Sequence, residues 1–192
     1  NGFFIYGQDT IVVTYTVNDI PTSYDTYESS CNGPITSLTA TLPSGDYFEV
    51  TNVEVSYSMS SLGSAFKSHQ RSKIRCSSSD TEEIEVAGTG DVAGVQNYNR
   101  SMTIANGVYA GGSELNFEMW ARRTFEGTPG CNSNVIRLDV FSWTLTIYVI
   151  AEVITPKVWL SISHGSLGQN FFCKYSCMWY YSHPGNKRCF EK

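Results

Sequence analysis

Apolar and polar residues alternate along much of this chain, which is the pattern of β-strands that bury one face. Val53, Val55, Tyr57 and Met59 are separated by single polar residues, and residues 115–121 repeat the arrangement. Strand-like segments follow one another with turn residues between them, and no amphipathic segment of helical length intervenes. The sequence therefore predicts an all-β fold, an antiparallel β-sandwich or jelly roll.

Two places in this pattern require a change of backbone direction. The apolar side chains between residues 136 and 149 change parity at Val140 and Phe141, so a continuous strand would change faces there. This predicts a β-bulge or a bend between sheets. Asn106-Gly107 is a dipeptide that favours tight turns and is expected to close a hairpin.

Composition and charge divide the chain in two. Up to Thr155 there are 8 Lys and Arg against 17 Asp and Glu, whereas from Pro156 onward there are 5 against 1. We expect a sandwich domain over residues 1–155, with its first residues as an arm, and a basic, aromatic tail over residues 156–192. The formal net charge of −5 argues against nucleic acid as a partner. The most apolar run, residues 141–154, is too short for a transmembrane segment.

The cysteines predict disulfide bonds and an oxidising setting, either secreted or at a cell surface. The six are Cys31, Cys76, Cys131, Cys173, Cys177 and Cys189. We expect Cys76 and Cys131 to be oxidised within the sandwich, with Cys31 as the alternative partner of either. The three tail cysteines are expected to hold a short disulfide-rich appendage, because so small a segment buries little core of its own.

The tail also resembles a CCHC zinc knuckle in the order of its ligands, Cys173, Cys177, His183 and Cys189. The spacing is wider than in that family, and the glycine turns of the knuckle are missing at the matching places. In an oxidising compartment the same cysteines form disulfides instead. We therefore predict neither a metal nor a cofactor.

Catalytic motifs are missing from the sequence. His69, His164 and His183 are the only conventional bases, and neither a G-x-S-x-G elbow nor an H-E-x-x-H helix is present. Charged residues cluster in two adjacent groups, which are Lys67, Arg71, Lys73 and Arg75 followed by Asp80, Glu82, Glu83 and Glu85. Such runs are typical of solvated strand edges. We predict that the protein is not an enzyme.

Two surface residues are candidates for contacts with a glycan or with another protein. Trp120 has the parity opposite to Phe117 and Met119, which places a large aromatic ring on a polar sheet face; such a ring marks a contact surface or is covered by a loop. Asn99-Arg100-Ser101 matches the N-glycosylation pattern. Trp120 is therefore the candidate ligand-binding residue, and Asn99 the candidate glycosylation site.

Residues 10–149 resemble, in strand pattern, the secreted β-sandwich modules of bacterial surface adhesins and fimbrial subunits. The first strand-like segment has the apolar residues Ile11, Val13, Tyr15 and Val17 in alternation with Val12, Thr14 and Thr16. In fimbrial families such an N-terminal segment completes the sheet of the next subunit, so the resemblance implies a structural or adhesive module that self-associates, as in a filament, or binds a cell-surface ligand. An ordinary first strand is the alternative for this segment, and carbohydrate binding is the alternative function.

Overall fold

The computed structural model of the chain describes residues 8–24, 31, 36–125, 130–152, 178–179 and 189–190. Strands and their connections make up these residues, with one short 3-10 segment at Lys67–His69, and the predicted all-β fold is confirmed. The strands are β1 (Gln8–Thr14), β2 (Ile20–Tyr24), β3 (Ser37–Thr41), β4 (Tyr47–Ser61), β5 (Gln70–Cys76), β6 (Thr81–Glu82), β7 (Val86–Ala87), β8 (Gly94–Met102), β9 (Gly107–Ala110), β10 (Glu114–Arg123), β11 (Cys131–Leu138), β12 (Thr144–Glu152), β13 (Met178–Trp179) and β14 (Cys189–Phe190).

Strands β1 to β12 join in one hydrogen-bonded sheet that folds over on itself as a sandwich. Its order is β1-β12-β4-β11-β2-β10-β5-β6, with β8 and β9 beside β4, β3 beside β10 and β7 beside β5. Strands β1, β12, β4, β8 and β9 form a first layer, and β3, β10, β5, β6 and β7 form a second layer. The pairs are antiparallel except where β10 runs parallel to β2, at Arg122 with Ser23 and Arg123 with Tyr24.

The core lies between the two layers and is formed by the residues that alternate in the sequence. On β4, the inward residues Val53, Val55, Tyr57 and Met59 are no more than 3% exposed. On β10, the inward residues are Leu115, Phe117, Met119 and Ala121, and they are no more than 2% exposed. Both strands therefore bury the face that the period-2 pattern predicts.

The change of parity at Val140 and Phe141 comes from a bulge-like insertion, as the sequence predicted, because β11 and β12 run in the same direction along one edge of β4, with Leu138 opposite Met59 and Thr144 opposite Ser56. Strand β11 ends at Leu138 and β12 begins at Thr144. Between them the amide of Ser142 donates to the carbonyl of Asp139 at 3.2 Å, and Phe141 adopts a left-handed conformation with φ of 60°. Leu138 and Leu145 are seven residues apart, whereas their partners Met59 and Val55 are four apart, so the local turn inserts three residues and the apolar pattern changes parity without a change of face.

Asn106-Gly107 closes no hairpin, because β8 and β9 do not pair with each other. Both strands lie on the same edge of β4, with Met102 opposite Val53 and Gly107 opposite Val50. The Asn106 amide donates to the carbonyl of Thr51 at 2.8 Å and holds the link against β4. The dipeptide thus joins two strand segments that follow one edge.

The chain forms two compact units, residues 1–152 and residues 153–192, where the sequence predicted a boundary after Thr155. In the second unit the described residues form one short ladder, in which Met178 pairs with Phe190 and Trp179 with Cys189. Cys173, Cys177 and His183 lie outside the described residues, so the tail disulfides and the alternative zinc site stay predictions. Within the described ranges no helix is long and apolar enough to cross a membrane.

Candidate functional site: the strand edges and the sheet faces

Two long strands, β1 and β8, form opposite edges of the first layer. Among the described residues β1 pairs only with β12, from Gln8 opposite Ile150 to Thr14 opposite Thr144, and β8 pairs only with β4. A strand at an edge presents backbone groups that can pair with another chain. These two edges are therefore candidate sites for association.

The predicted assembly residues, two on β1 and two just after it, mostly face the core of their own chain. Ile11 and Val13 are half-buried against the core, and Tyr15 is 8% exposed. The Tyr15 ring packs on Trp143 with 5.9 Å between centroids, and its hydroxyl donates to Asn18 at 3.1 Å. Val17 is 74% exposed. Strand β1 thus lies on β12 as an ordinary first strand, and a second chain would meet its backbone edge rather than Ile11, Val13 or Tyr15.

The backbone groups of β8 that point away from β4 belong to its odd-numbered residues. The backbone carbonyl of Ser58 accepts from the amide of Asp139, and the backbone amide of Leu62 donates to the carbonyl of Val135. The backbone groups of the even-numbered residues of β4 in this region therefore point toward β11. The odd-numbered residues of β4 consequently bond to β8, and Tyr57 is paired with Tyr98. Since neighbouring residues on a strand point to opposite edges, the outward groups are those of the odd-numbered residues Val95, Asn97, Asn99 and Ser101.

The even-numbered side chains of β8 join a polar cluster between the layers. The Tyr98 hydroxyl donates to Gln70 Oε1 at 2.7 Å, and Gln70 Nε2 donates to Ser61 Oγ at 2.8 Å. The Tyr57 hydroxyl shares a 2.5 Å hydrogen bond with Ser72. The Tyr57 and Tyr98 rings stack with centroids 4.8 Å apart. The cluster connects β8 and β4 to β5 through buried polar groups that are hydrogen-bonded to other protein groups.

Arg100 links this cluster to the loop after β6. Its guanidinium lies 5.0 Å from the Tyr57 ring centroid and donates to the Tyr57 hydroxyl at 2.9 Å. It also forms a two-point ion pair with Glu83, in which Nε lies 2.7 Å from Oε2. Glu83 in turn accepts from the amide of Ile74 at 2.7 Å. The sequence does not reveal this group, because Arg100 and Glu83 are far apart in the chain and Arg100 is recognisable there only as the middle residue of a glycosylation pattern.

Burial changes the acidity of both stacked tyrosines. Desolvation raises the pKa of Tyr57 above its ordinary value, and the nearby Arg100 charge offsets part of that effect. Desolvation likewise raises the pKa of Tyr98, and Tyr57 beside it adds to the increase. Both hydroxyls therefore remain protonated at neutral pH; Tyr98 donates to Gln70, and Tyr57 accepts from Arg100 and shares a hydrogen bond with Ser72.

The outer face of β5 and β10 holds the two charged clusters that the sequence analysis treated as separate. They neutralise each other, because β6 and the loop after it fold back along β5. Among the ion pairs are Arg71 with Glu85 at 3.2 Å, Lys73 with Glu82 at 2.9 Å, Arg75 with Asp80 at 2.7 Å and Arg122 with Glu85 at 2.7 Å. Positive and negative side chains therefore alternate on this face, and the two charged runs of the sequence do not form separate basic and acidic strips.

Trp120 lies half-buried on that charged face. It is opposite Lys73 on β5, whose ammonium lies 5.1 Å from the ring centroid, and its Nε1 donates to Glu118 at 3.1 Å. The ring is therefore packed under a cation and anchored by a carboxylate. Its position on the polar face, with its parity opposite to the buried Phe117, agrees with the sequence pattern, and its ligand-binding role stays a prediction.

Asn99 is exposed on the outer face of the first layer, so the glycosylation pattern lies on an accessible surface. It borders an open concavity of about 320 Å³ on that face. The concavity is lined by Glu54, Val55, Ser56, Asn99, Arg100, Ser101, Thr144 and Thr146. Short hydroxyl side chains predominate there, and glycosylation of Asn99 stays a prediction.

His69 is the one histidine within the described ranges, and it takes a structural position. Its ring stacks between Phe66 and Phe125, with centroids 5.3 and 4.8 Å away, and its Nδ1 accepts from the Phe66 amide at 3.0 Å. His164 and His183 lie outside the described residues. In the part of the chain that the structure describes, no three His, Cys, Asp or Glu side chains come close enough to hold a metal ion.

The disulfide of the sandwich joins Cys31 to Cys131, with their Cα atoms 5.2 Å apart. Cys76 is a buried free thiol at the end of β5, so the expected oxidation of Cys76 is wrong. The reason is its position: Cys76 is opposite Phe117 and is fully buried in the core. Cys31 and Cys131 lie nearer the surface, and Cys31, named as the alternative partner, is the actual partner of Cys131.

Comparison with known proteins adds little to this description. No protein-family model and no curated protein matches the chain. One solved structure that is similar is the infectious bursal disease virus VP2 subviral particle, at 10% sequence identity and a TM-score of 0.30. The match covers 74% of this chain and 40% of that chain.

Proposed function

We propose that the protein is an extracellular structural or adhesive module that acts by association through its sheet edges, as a subunit of a surface assembly or as a binder of a cell-surface ligand. The Cys31–Cys131 disulfide supports the extracellular setting, because such bonds persist in oxidising compartments. The proposal agrees with the resemblance in strand pattern to adhesin and fimbrial modules.

The observation that carries the proposal is the contrast among the edges of the sandwich. At one edge of the second layer, β6 and β7 are two residues long, and the segment that holds them carries Glu82, Glu83 and Glu85; the strand at the other edge, β3, has five residues. Short, charged edges prevent pairing between chains. In the first layer, β1 has seven residues with one charge and β8 has nine residues with one charge. Neither contains proline or lysine, so both keep the capacity to pair.

The experiment that tests this function measures the particle size of the purified full chain across a range of concentrations. Multi-angle light scattering and negative-stain imaging should detect species larger than a monomer. A chain that stays monomeric at high concentration and also fails to bind cells or matrix would contradict the proposal.

Carbohydrate binding is the second candidate, and Trp120 is the observation that favours it. A half-buried indole beside Lys73, Glu118 and Arg122 offers a ring for stacking and charged groups for hydroxyls. A glycan array should then detect binding by the parent chain, and Trp120→Ala should abolish it. Phe66→Ala removes another partly exposed ring outside this face and serves as the control. An array without specific binding removes this candidate and leaves the first.

A further inference from the structure

We propose that β8 pairs with β8 of a second copy of this chain, antiparallel and about a two-fold axis that passes between the two Tyr98 residues. This inference rests on the proposed function and names its partner as the chain itself. The pairing would extend the first layer into one continuous sheet across two molecules.

The backbone geometry of β8 sets the register. The outward groups belong to Val95, Asn97, Asn99 and Ser101, as shown above from the direction of β4. An axis at Tyr98 places Asn97 opposite Asn99 of the second copy and Val95 opposite Ser101, and these four residues then all find hydrogen-bonded partners. Each such pair exchanges two bonds, so the pairing supplies about eight backbone hydrogen bonds. A shifted axis pairs fewer of them.

The charges on β8 allow this pairing. Arg100 is the one charged residue of the strand, and in this register it lies opposite Gln96 of the second copy. Its guanidinium is already held inside its own chain by Glu83 and Tyr57. No like charges of β8 therefore face each other across the axis, where they would be destabilising.

Exposed aliphatic side chains on β8, on the loop before it and on β9, which follows the same edge of β4, support a contact there. Val92 and Val95 are 58% and 57% exposed, and Val108 on β9 is 53% exposed. Ile84 is 90% exposed and lies beside Glu83, which binds Arg100 of β8. A second copy placed against β8 would cover part of this apolar surface, whose exposure to water is unfavourable.

The strand β1 is the competing edge, and two features favour β8 over it. Strand β8 is longer, with nine residues against seven. Its exposed aliphatic neighbours are Val92 in the preceding loop, Val95 on the strand and Val108 on β9, whereas those of β1 are Val12 and Val17.

The first test compares Asn97→Pro with Asn97→Ala in the full chain, produced in a host that does not glycosylate. Proline removes the outward amide of residue 97 and spares the ladder to β4, since that amide does not bond to β4. We expect the parent and Asn97→Ala to be dimeric in sedimentation velocity. Asn97→Pro should be monomeric, with a far-ultraviolet circular dichroism spectrum that shows it is folded.

The second test depends on the register. In the proposed dimer, residue 97 of each copy lies opposite residue 99 of the other copy. The double variant Asn97→Asp, Asn99→Asp therefore places two carboxylates opposite each other at both positions. The double variant Asn97→Asp, Asn99→Lys places a carboxylate opposite an ammonium instead. The dissociation constants of these two variants should differ by about tenfold or more, with the Asp/Lys variant tighter and the difference reduced by salt. Both variants lack the Asn99 acceptor, so glycosylation does not contribute.

The outcomes separate this inference from the proposed function. Equal dissociation constants for the two charge variants, or an Asn97→Pro protein that still dimerises, would overturn β8 pairing while self-association stands. A parent chain that is monomeric at about 100 μM, well above the range of specific dimers, would overturn β8 pairing even if adhesion to cells is observed. Loss of both self-association and adhesion would remove the proposed function as well.

Discussion

The phenol of Tyr98 on β8 donates a 2.7 Å hydrogen bond to Oε1 of Gln70 on β5, and this bond joins the edge of one layer to the other layer. Gln70 is fully buried, and its Nε2 group donates both to the carbonyl of Met59 and to Ser61. The amide of Gln70 is therefore satisfied only while Tyr98 keeps its hydroxyl.

The first prediction is that Tyr98→Phe lowers the free energy of unfolding by about 1–3 kcal/mol, because it leaves a buried acceptor without its donor. Urea denaturation followed by circular dichroism measures the change. Tyr148→Phe is the matched control, since it removes an exposed hydroxyl that donates to Glu54 at 2.9 Å. Its effect should stay within about 0.5 kcal/mol. Equal losses for the two variants would contradict the role of Gln70.

The second prediction concerns alkaline pH. The raised pKa of Tyr57 means that the folded state holds this proton more tightly than the unfolded state, whose tyrosines titrate near 10.0. The stabilisation from this group is therefore complete below about pH 10 and is lost as the pH rises through the folded-state pKa. Unfolding free energies measured from pH 8 to about pH 11 should decline above pH 10.

The matched variant for this pH dependence is Tyr57→Phe. It should be less stable than the parent at pH 8, because Ser72 and Arg100 lose a partner. Its free energy of unfolding should also decline less steeply above pH 10, since one titrating group has been removed. An unchanged slope would show that Tyr57 does not contribute to the alkaline transition.

The third prediction is that the Cys31–Cys131 bond supplies much of the stability of the sandwich. It closes a sequence separation of 100 residues, so Cys131→Ser should cost about 2–5 kcal/mol. Cys76→Ala keeps the bond and should cost only about 1 kcal/mol for the lost sulfur. Non-reducing peptide mapping should recover Cys31 linked to Cys131. Iodoacetamide should label Cys76 only after denaturation, and labelling of Cys76 in the native protein would contradict its burial.

The fourth prediction concerns the turn between β11 and β12. Phe141 has a φ of 60° while its side chain is 63% exposed, so it bears the strain of the left-handed region with little burial in return. Phe141→Gly should raise the free energy of unfolding by about 0.5–1 kcal/mol. Val140→Gly, at a neighbouring position without a positive φ, should lower it. Thermal denaturation of the two variants distinguishes these opposite signs.

Much of the fold was predictable because it depends on residues close together in the chain. The alternation on β4 and β10 follows from the local period of a strand, and the buried faces of both strands were correctly assigned. The relation between β8 and β9 was not predictable in this way, because Asn106-Gly107 has the same local preference whether the chain reverses or continues along one edge of β4.

The candidate sites were less predictable because they depend on which strands become neighbours. Arg71 and Glu85 form an ion pair across a chain reversal, and the sequence shows them only as members of two separate charged runs. The Arg100 and Glu83 pair is of the same kind. Alternation of apolar residues could reveal that Ile11 and Val13 have one buried face, but it does not distinguish their own core from that of a neighbouring subunit.

The pairing of β1 with β12 determines how the sandwich would respond to tension. Gln8 is opposite Ile150 at the end of this antiparallel ladder, so a force that pulls on these two residues loads one residue pair at a time and peels the strands apart like a zipper. Peeling would then release the chain up to Cys31 on one side and back to Cys131 on the other, where the disulfide carries the load. The segment between them, with a sequence separation of 100 and about 330 Å long if extended, would carry no load. The module would therefore yield early under load and then stop lengthening.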